Sequence, residues 1–201
     1  MFYQPEKEPH GLPHSPLKAC VAPRPIGWIA SVNKDGQANL APYSFFQMLN
    51  DRPPVVMFSS IGDKDSISNC RATGEFVYNI VPKSLTDQMN ASSINAPSGV
   101  DEFEFAGLTK VKCELIGVPR VKESPIAFEC KVHQIIDVPS NHEGMPVTAV
   151  IGLVVGVHID DAVITNGIVD TNLIQPLSRL GYMEYAAVEE VFSLNRPVWE
   201  D

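Results

Sequence analysis

Four turn-forming residues, Asn33-Lys34-Asp35-Gly36, stand between an apolar β-rich run, Gly27–Val32, and a second short run at 37–41. Asp-Gly accepts the positive φ that a tight reversal needs, so the two runs are predicted to pair as an antiparallel hairpin. Further on, Val55-Val56-Met57-Phe58 is a short apolar run that reads as a buried strand over 55–59. It empties into Ser59-Ser60-Ile61-Gly62-Asp63-Lys64-Asp65-Ser66, and a helix is predicted over Asp65–Thr73. Asp63 or Asp65 can serve as N-cap, Ile67, Cys70 and Arg71 fall on helical spacing, and Gly74 suits a left-handed terminus. The first turn leaves backbone N–H groups unpaired beside the hydroxyls of Ser59, Ser60 and Ser66 and the ammonium of Lys64. Such a place attracts an anion. Serines, a glycine and acids ahead of a helix are also ordinary capping and turn residues, and at this point both readings stand.

The remaining pattern is mostly β. Further strands are expected at 18–21, 75–80, Ile126–Val138 and 149–159, with a second helix at 83–91. In the longest strand Phe128, Cys130, Val132 and Gln134 alternate with Glu129, Lys131, His133 and Ile135, a half-buried pattern. Several non-local strands with short helical interruptions predict a closed or nearly closed barrel with short peripheral helices. Residues 1–16 are proline-rich and read as an N-terminal arm lying on the body or on a partner subunit. Residues 17–201 then form a single domain, since no repeat or linker divides them. The stretch 94–109 reads as an excursion outside the barrel that shapes a substrate entrance.

Charge and composition exclude several functions. Twenty-four acids against 15 basic residues give a net charge of −9, which disfavours nucleic acid as a partner. The local cluster Lys110, Lys112, Arg120 and Lys122 reads as a solvated face. Cys20, Cys70, Cys113 and Cys130 have neither metal spacing nor the density of a disulfide scaffold, and read as reduced. His10, His14 and Cys20 lack a second ligand cluster, so no metal is assigned; His133 and His158 read as hydrogen-bonded structural histidines in strands. The start of the chain has acids and prolines where a signal peptide needs a basic start and an apolar core, and no apolar run approaches the roughly 20 residues of a membrane helix. A cytoplasmic protein without membrane association is expected. There is no G-x-G-x-x-G and no Walker loop, so any nicotinamide binds transiently.

The segments RPIGWIAS (24–31), NLAPYSFF (39–46), KDSISNCRATGEFVYN (64–79), DEFEFAGL (101–108), PRVKESPIAFEC (119–130), IGLVVGVHIDDAVI (151–164), PLSRLGYMEY (176–185) and FSLNRP (192–197) run in order through nearly the whole chain. In these the chain resembles the flavin reductase-like, FMN-binding split-barrel family, in the subgroup of flavoredoxin and the reductase components of two-component flavin monooxygenases. The resemblance implies a Greek-key split β-barrel, a homodimer and bound FMN. It implies that Asn39, Pro42, Tyr43, Ser44, Phe45 and Phe46 lie along the isoalloxazine ring and ribityl chain. Ser59, Ser60, Lys64, Asp65, Ser66 and Asn69 would then surround the phosphate and ribityl hydroxyls, and Arg24, Ile26 and Trp28 would sit near the ring edge. Arg179, Gly181 and Tyr182 would reach the flavin from the C-terminal segment, that of the other subunit. The family often has threonine where this chain has Ser66, and a second glycine where it has Tyr182.

The residue types suit such a ligand independently of the resemblance. A flavin needs apolar or aromatic walls, several hydroxyl and amide partners and local positive charge. Trp28, Tyr43, Phe45 and Phe46 can supply walls, Ser44, Ser59, Ser60, Ser66 and Asn69 hydrogen bonds, and Lys64 charge. Arg24 or a backbone N–H near the pyrimidine side would favour the reduced ring. Hydride passes directly between nicotinamide and flavin, so no catalytic side chain is assigned. The expected activity is an NADH- or NADPH-dependent flavin reductase passing electrons to free flavin, a small-molecule acceptor, or a monooxygenase or other redox partner protein. The alternatives are an FMN electron carrier and a flavin-binding barrel without turnover.

Overall fold

The computed structural model describes residues 1–7 and 9–199; Glu8 in the arm, and Glu200 and Asp201 at the end of the domain, lie outside the described residues. The first strands are β1 (Arg24–Pro25), β2 (Gly27–Val32), β3 (Ala38–Tyr43), β4 (Phe46–Asp51) and β5 (Pro54–Ile61). Helix α1 (Asp65–Thr73) leads to β6 (Glu75–Asn79), a 3₁₀ turn at Lys83–Leu85, α2 (Thr86–Ala91) and α3 (Glu102–Phe105). Two short strands, β7 (Lys110–Val111) and β8 (Arg120–Val121), precede the long pair β9 (Ile126–Val138) and β10 (Val147–Ile159). The chain ends through β11 (Ile164–Thr165), β12 (Ile168–Val169), α4 (Thr171–Ile174), β13 (Leu177–Arg179) and β14 (Tyr185–Ala187).

Seven strands make one antiparallel sheet in the order β3-β2-β6-β9-β10-β5-β4. Its two edge strands, β3 and β4, are separated in the chain by Ser44 and Phe45 alone. Laid flat, six steps of about 4.8 Å would hold the edges about 29 Å apart, whereas the chain from Tyr43 to Phe46 can reach only about 11 Å. The sheet therefore rolls up, leaving a seam between β3 and β4. The Ser59 N–H donates to the Phe45 carbonyl at 2.9 Å beside that seam. The architecture is a mainly β split barrel, as the sequence led us to expect.

Alternation along the strands sorts side chains to the two sides of the rolled sheet. Ile29, Tyr43, Phe46, Val56, Phe58, Phe76, Cys130 and Val150 come from all seven strands and fill the interior together with Ile67 and Cys70 of α1. Trp28, Ala30, Leu40 and Val77 point the other way and are covered by Leu85, Met89, Phe103, Val118 and Val121. Both faces of β2 are thus buried. The hairpin forms as expected: Asn33 Oδ1 accepts the N–H groups of Asp35 at 3.0 Å and Gln37 at 2.9 Å, and Gly36 takes φ +80°.

Two element readings need correction, and one strand went unread. No strand forms at 18–21, because the Lys18 and Val21 carbonyls point inward to the Arg24 guanidinium. Strand β4 carried no sequence signal, since all its residues after Phe46 are exposed and show no alternation. The segment 83–91 divides into a 3₁₀ turn and α2. The excursion at 94–109 lies outside the barrel as read, packed on it through Phe103 and Leu108 of the outer core. In β9, Cys130 is buried and Lys131 exposed as the alternation predicts, but Glu129 is fully buried as well, Gln134 is exposed, and His133, read as a hydrogen-bonded structural histidine, is exposed.

Closure is locked where the Phe46 ring lies over Gly27 and stacks on Tyr78, ring centroids 4.5 Å apart. A Cβ on Gly27 would come within 2.5 Å of Phe46 Cδ2 and 2.6 Å of Cγ. Gly27→Ala is expected to lower stability by about 1–3 kcal/mol through overpacking, read as a lower urea midpoint at unchanged slope.

Candidate functional site

A groove opens along β3. Its larger part, about 350 Å³, is lined by Asn39, Ala41, Pro42 and Tyr43 of β3, by 63–66 at the start of α1, by 92–96 after α2, and by Glu102. A smaller hollow of about 160 Å³ continues it past Pro42 and Ser93 to Ile26, Ser44, Met89, Arg179 and Tyr185.

At the helix end of the groove, Gly62 at φ +79° turns the chain out of β5. The N-cap is then Lys64, not Asp63 or Asp65: Lys64 holds extended dihedrals, and no side chain caps the helix. Asp63 falls one residue too early and Asp65 already lies in the first turn. The Lys64 carbonyl accepts from Ile67 and Ser68, so the amides of Asp65 and Ser66 are left for another acceptor. With the Lys64 side chain beside them they form a positive pole. At the other end of this nine-residue helix, Gly74 closes it at φ +72° as read from the sequence.

Beneath this end lies a buried polar net. Asn39 Nδ2 donates to Ser66 Oγ at 2.9 Å and to Ser31 Oγ at 3.3 Å, and Asn69 Nδ2 donates to Ser31 Oγ at 3.0 Å. The Tyr43 hydroxyl is buried beside the Ser60 and Ser66 hydroxyls and makes no well-formed hydrogen bond. Burial pushes its pKa up to about 12, so it stays protonated and able to donate. Across the groove, the Glu102 carboxylate accepts the Leu40 N–H at 3.1 Å. Burial pushes its pKa up, against the pull of that hydrogen bond. The rim at 92–96 is rooted by Ser92, whose hydroxyl accepts the Trp28 indole N–H and donates to the Met89 carbonyl, both at 2.8 Å.

The structure therefore brings Ile26, Asn39, Pro42, Tyr43, Ser44, Lys64, Asp65, Ser66 and Arg179 to one continuous groove. Ser60 is buried just below it, and Asn69 lies below with Ser31. The others go elsewhere. Trp28 is fully buried in the outer core and Phe46 inside the barrel, so neither offers a ring as a wall. Phe45 and Ser59 line a separate cleft with Glu6, Ile61, 138–142 and Val147. Arg24 spends its guanidinium on the carbonyls of Lys18, of Val21 at 2.6 Å and of Leu180 at 2.7 Å, which ties the 18–21 segment to the C-terminal segment. Gly181 is buried against Ala19, where an added Cβ would approach to 2.4 Å. Tyr182 stands at φ +55°, a conformation that suits the glycine often found there in the family, and lines a cleft with His14, Ser15, Lys18 and Met183.

Glu102 and Ser92 were not singled out from the sequence. Asp101 caps α3 through the Phe103 and Glu104 amides, so three acids in a row of four residues look alike as first-turn charges, and only packing turns Glu102 inward. The sequence did place 94–109 at an entrance, and 94–96 do line the groove.

Residues 20–177 match the flavin reductase like domain. The chain belongs to that family. It is 37% identical over 187 residues to an uncharacterized protein of Halalkalibacterium halodurans, covering 90% of this chain and 89% of that one. Among solved structures it resembles nitrilotriacetate monooxygenase component B from Bacillus cereus, with TM-score 0.89, 31% identity and coverage of 96% of this chain and 98% of that chain. It also resembles the 2-nitrobenzoate 2-nitroreductase of Pseudomonas fluorescens, with TM-score 0.82, 29% identity and coverage of 92% and 90%. Flavoredoxin of Desulfovibrio vulgaris shares the fold at TM-score 0.78 and 23% identity over 94% of this chain and 96% of that chain. Among the described residues no helix is long and apolar enough to cross a membrane.

An unfolded glutamate ionises near 4.5 and folded Glu102 only at higher pH, so its contribution to stability falls as pH rises through that interval. Glu102→Gln keeps an acceptor for Leu40 without the charge. Its unfolding free energy relative to the parent is expected to grow as pH is raised from about 4 to 8 in paired urea titrations.

Proposed function

We propose that this chain binds FMN along the β3 groove and acts as a flavin reductase. The observation that carries the reading is the uncapped start of α1 opening into a groove of hydroxyl and amide donors. The donor set fits the cofactor part by part. The Asp65 and Ser66 amides with Lys64 suit a phosphate dianion. Ser66, Asn39 and the Tyr43 hydroxyl, which makes no well-formed hydrogen bond, suit a polyhydroxy chain, and the β3 edge at Ala41-Pro42 with Ile26 and Met89 offers an apolar bed for a flat ring. Bound FMN would supply two-electron chemistry, accepting hydride from NADH or NADPH and delivering electrons to free flavin, a small-molecule acceptor, or a monooxygenase or other redox partner.

The residues of the chain position and tune. Lys64 and the helix amides hold the anionic end. Glu102 lines the same part of the groove as the helix start, and the burial that raises its pKa lessens the repulsion it would direct at the anionic end. Arg179 donates to the Tyr182 carbonyl at 2.5 Å and to the Tyr185 hydroxyl, and its guanidinium lies 4.4 Å from the Tyr185 ring centroid. That fixes a cation at the far end, where negative charge gained on reduction is favoured. Tyr182, exposed and away from the groove of its own chain, would reach that of a second copy in a homodimer. The reading places the protein in the cytoplasm, where reduced nicotinamides are available.

Two measurements test this. Lys64→Ala is expected to weaken FMN binding by about 1–3 kcal/mol in a fluorescence-quenching titration; unchanged affinity would move the phosphate elsewhere. Anaerobic addition of NADH or NADPH to the FMN-loaded protein should bleach the flavin absorbance, and free flavin should then sustain nicotinamide oxidation. Yellow protein that never bleaches would favour the electron-carrier reading, and a protein that takes up no FMN would overturn both.

A further inference from the structure

A second cluster of chemically able side chains lies outside the groove. Cys113 in the loop between β7 and β8, Glu129 on β9 and His158 on β10 bring thiol, carboxylate and imidazole atoms within 4.8 Å of one another. None of the three lines the groove. Glu129 is fully buried, an unusual place for a carboxylate, and β10 makes room for it by a bulge at Gly156, where an added Cβ would stand 3.2 Å from Glu129 Cδ. Its oxygens accept the Glu114 N–H at 2.8 Å and the Leu115 N–H at 2.7 Å, and His158 Nε2 lies 2.6 Å from Oε1. Burial pushes the Glu129 pKa up, but these hydrogen bonds outweigh it and leave the carboxyl below its ordinary value. The loop that clamps the carboxylate is the one that carries the thiol, and the Gly117 N–H anchors it again on Glu75 at 2.9 Å.

We infer that Cys113, Glu129 and His158 form a binding site for a zinc-type divalent cation, independent of the flavin groove. Sulfur, nitrogen and carboxylate oxygen are the donors such an ion selects. Tetrahedral coordination asks for donor atoms about 3.3–3.8 Å apart, so the His158–Glu129 contact at 2.6 Å must widen as the ion replaces the shared proton, and the thiol, now within 4.8 Å of the other two donors, must draw in by up to about 1 Å. The thiol proton of Cys113 leaves to solvent on binding. A dication with one thiolate, one carboxylate and a neutral imidazole is uncharged overall, which suits burial. The Glu114 and Leu115 amides already hold the carboxylate from outside the site, as supporting groups do around protein-bound metals. Cys113 and His158 are only partly buried, which leaves the ion an entry path and a fourth position for water.

Cobalt(II) added to chelator-stripped full-length protein tests the site, with difference spectra recorded against the same preparation without metal. Exposed Cys20 is replaced by serine throughout to remove a competing thiol. One equivalent of cobalt is expected to give a near-ultraviolet thiolate band with visible bands of tetrahedral intensity, displaced by zinc. Cys113→Ser should abolish the thiolate band, and His158→Gln should weaken zinc binding at least about tenfold in a competition assay with a colorimetric chelator. Absence of a thiolate band in the Cys20→Ser protein, or a band that survives Cys113→Ser, would overturn the assignment. Flavin uptake is scored separately by its own absorbance, so the two sites stand or fall apart.

Discussion

The two-residue crossing from β3 to β4 governs this molecule. Ser44 and Phe45 must join the opposite edges of a seven-stranded sheet, and a chain that short permits only a rolled sheet. The consequences spread from there. Rolling puts Ile29, Phe58, Phe76 and Val150 inside, gives α1 an open end to plug with Ile67 and Cys70, and leaves β3 at the seam with one edge unpaired. A strand edge with free backbone groups beside the start of the plugging helix is what makes a groove here. The fold and the site have one cause.

That shared origin explains what could be read in advance. The 33–36 turn, α1 with its Gly74 terminus, and β9 were legible because local chemistry decides them: positive φ at glycine and hydrophobic periods of 2 and 3.6. The polar half of the groove was legible for the same reason, since Lys64, Asp65 and Ser66 sit at a helix start wherever that helix packs. The aromatic half was not. Trp28 and Phe46 look like ring walls in the sequence, but β2 is buried on both faces, and alternation alone cannot say which face meets a ligand. Arg24 looked like a free donor, but its two terminal nitrogens go to the backbone carbonyls of Lys18, Val21 and Leu180, and its Nε is buried without a partner. Glu102 and Glu129 escaped notice because an acid's inward turn is set by distant partners, Leu40 for one and the 114–115 amides for the other.

Buried polarity in this barrel is concentrated where a second layer of chain crosses it. Asn39, Ser31, Ser66 and Asn69 are hydrogen-bonded to one another under the helix start. Asn79, donating to the Trp28 carbonyl at 3.1 Å and accepting from the Val121 amide at 2.9 Å, fastens β8 to the barrel wall. Such groups are costly unless fully paired, so each specifies a single docking of its segment. The Tyr43 hydroxyl is the exception among the groove residues, left without a well-formed hydrogen bond.

The anchoring of Ser92 has a mechanical consequence. Its hydroxyl is held between the Trp28 indole and the Met89 carbonyl, and Trp28 itself cannot shift without disturbing the outer core. Whatever enters the groove therefore meets, at Ser92, a rim whose root is part of the barrel and cannot yield.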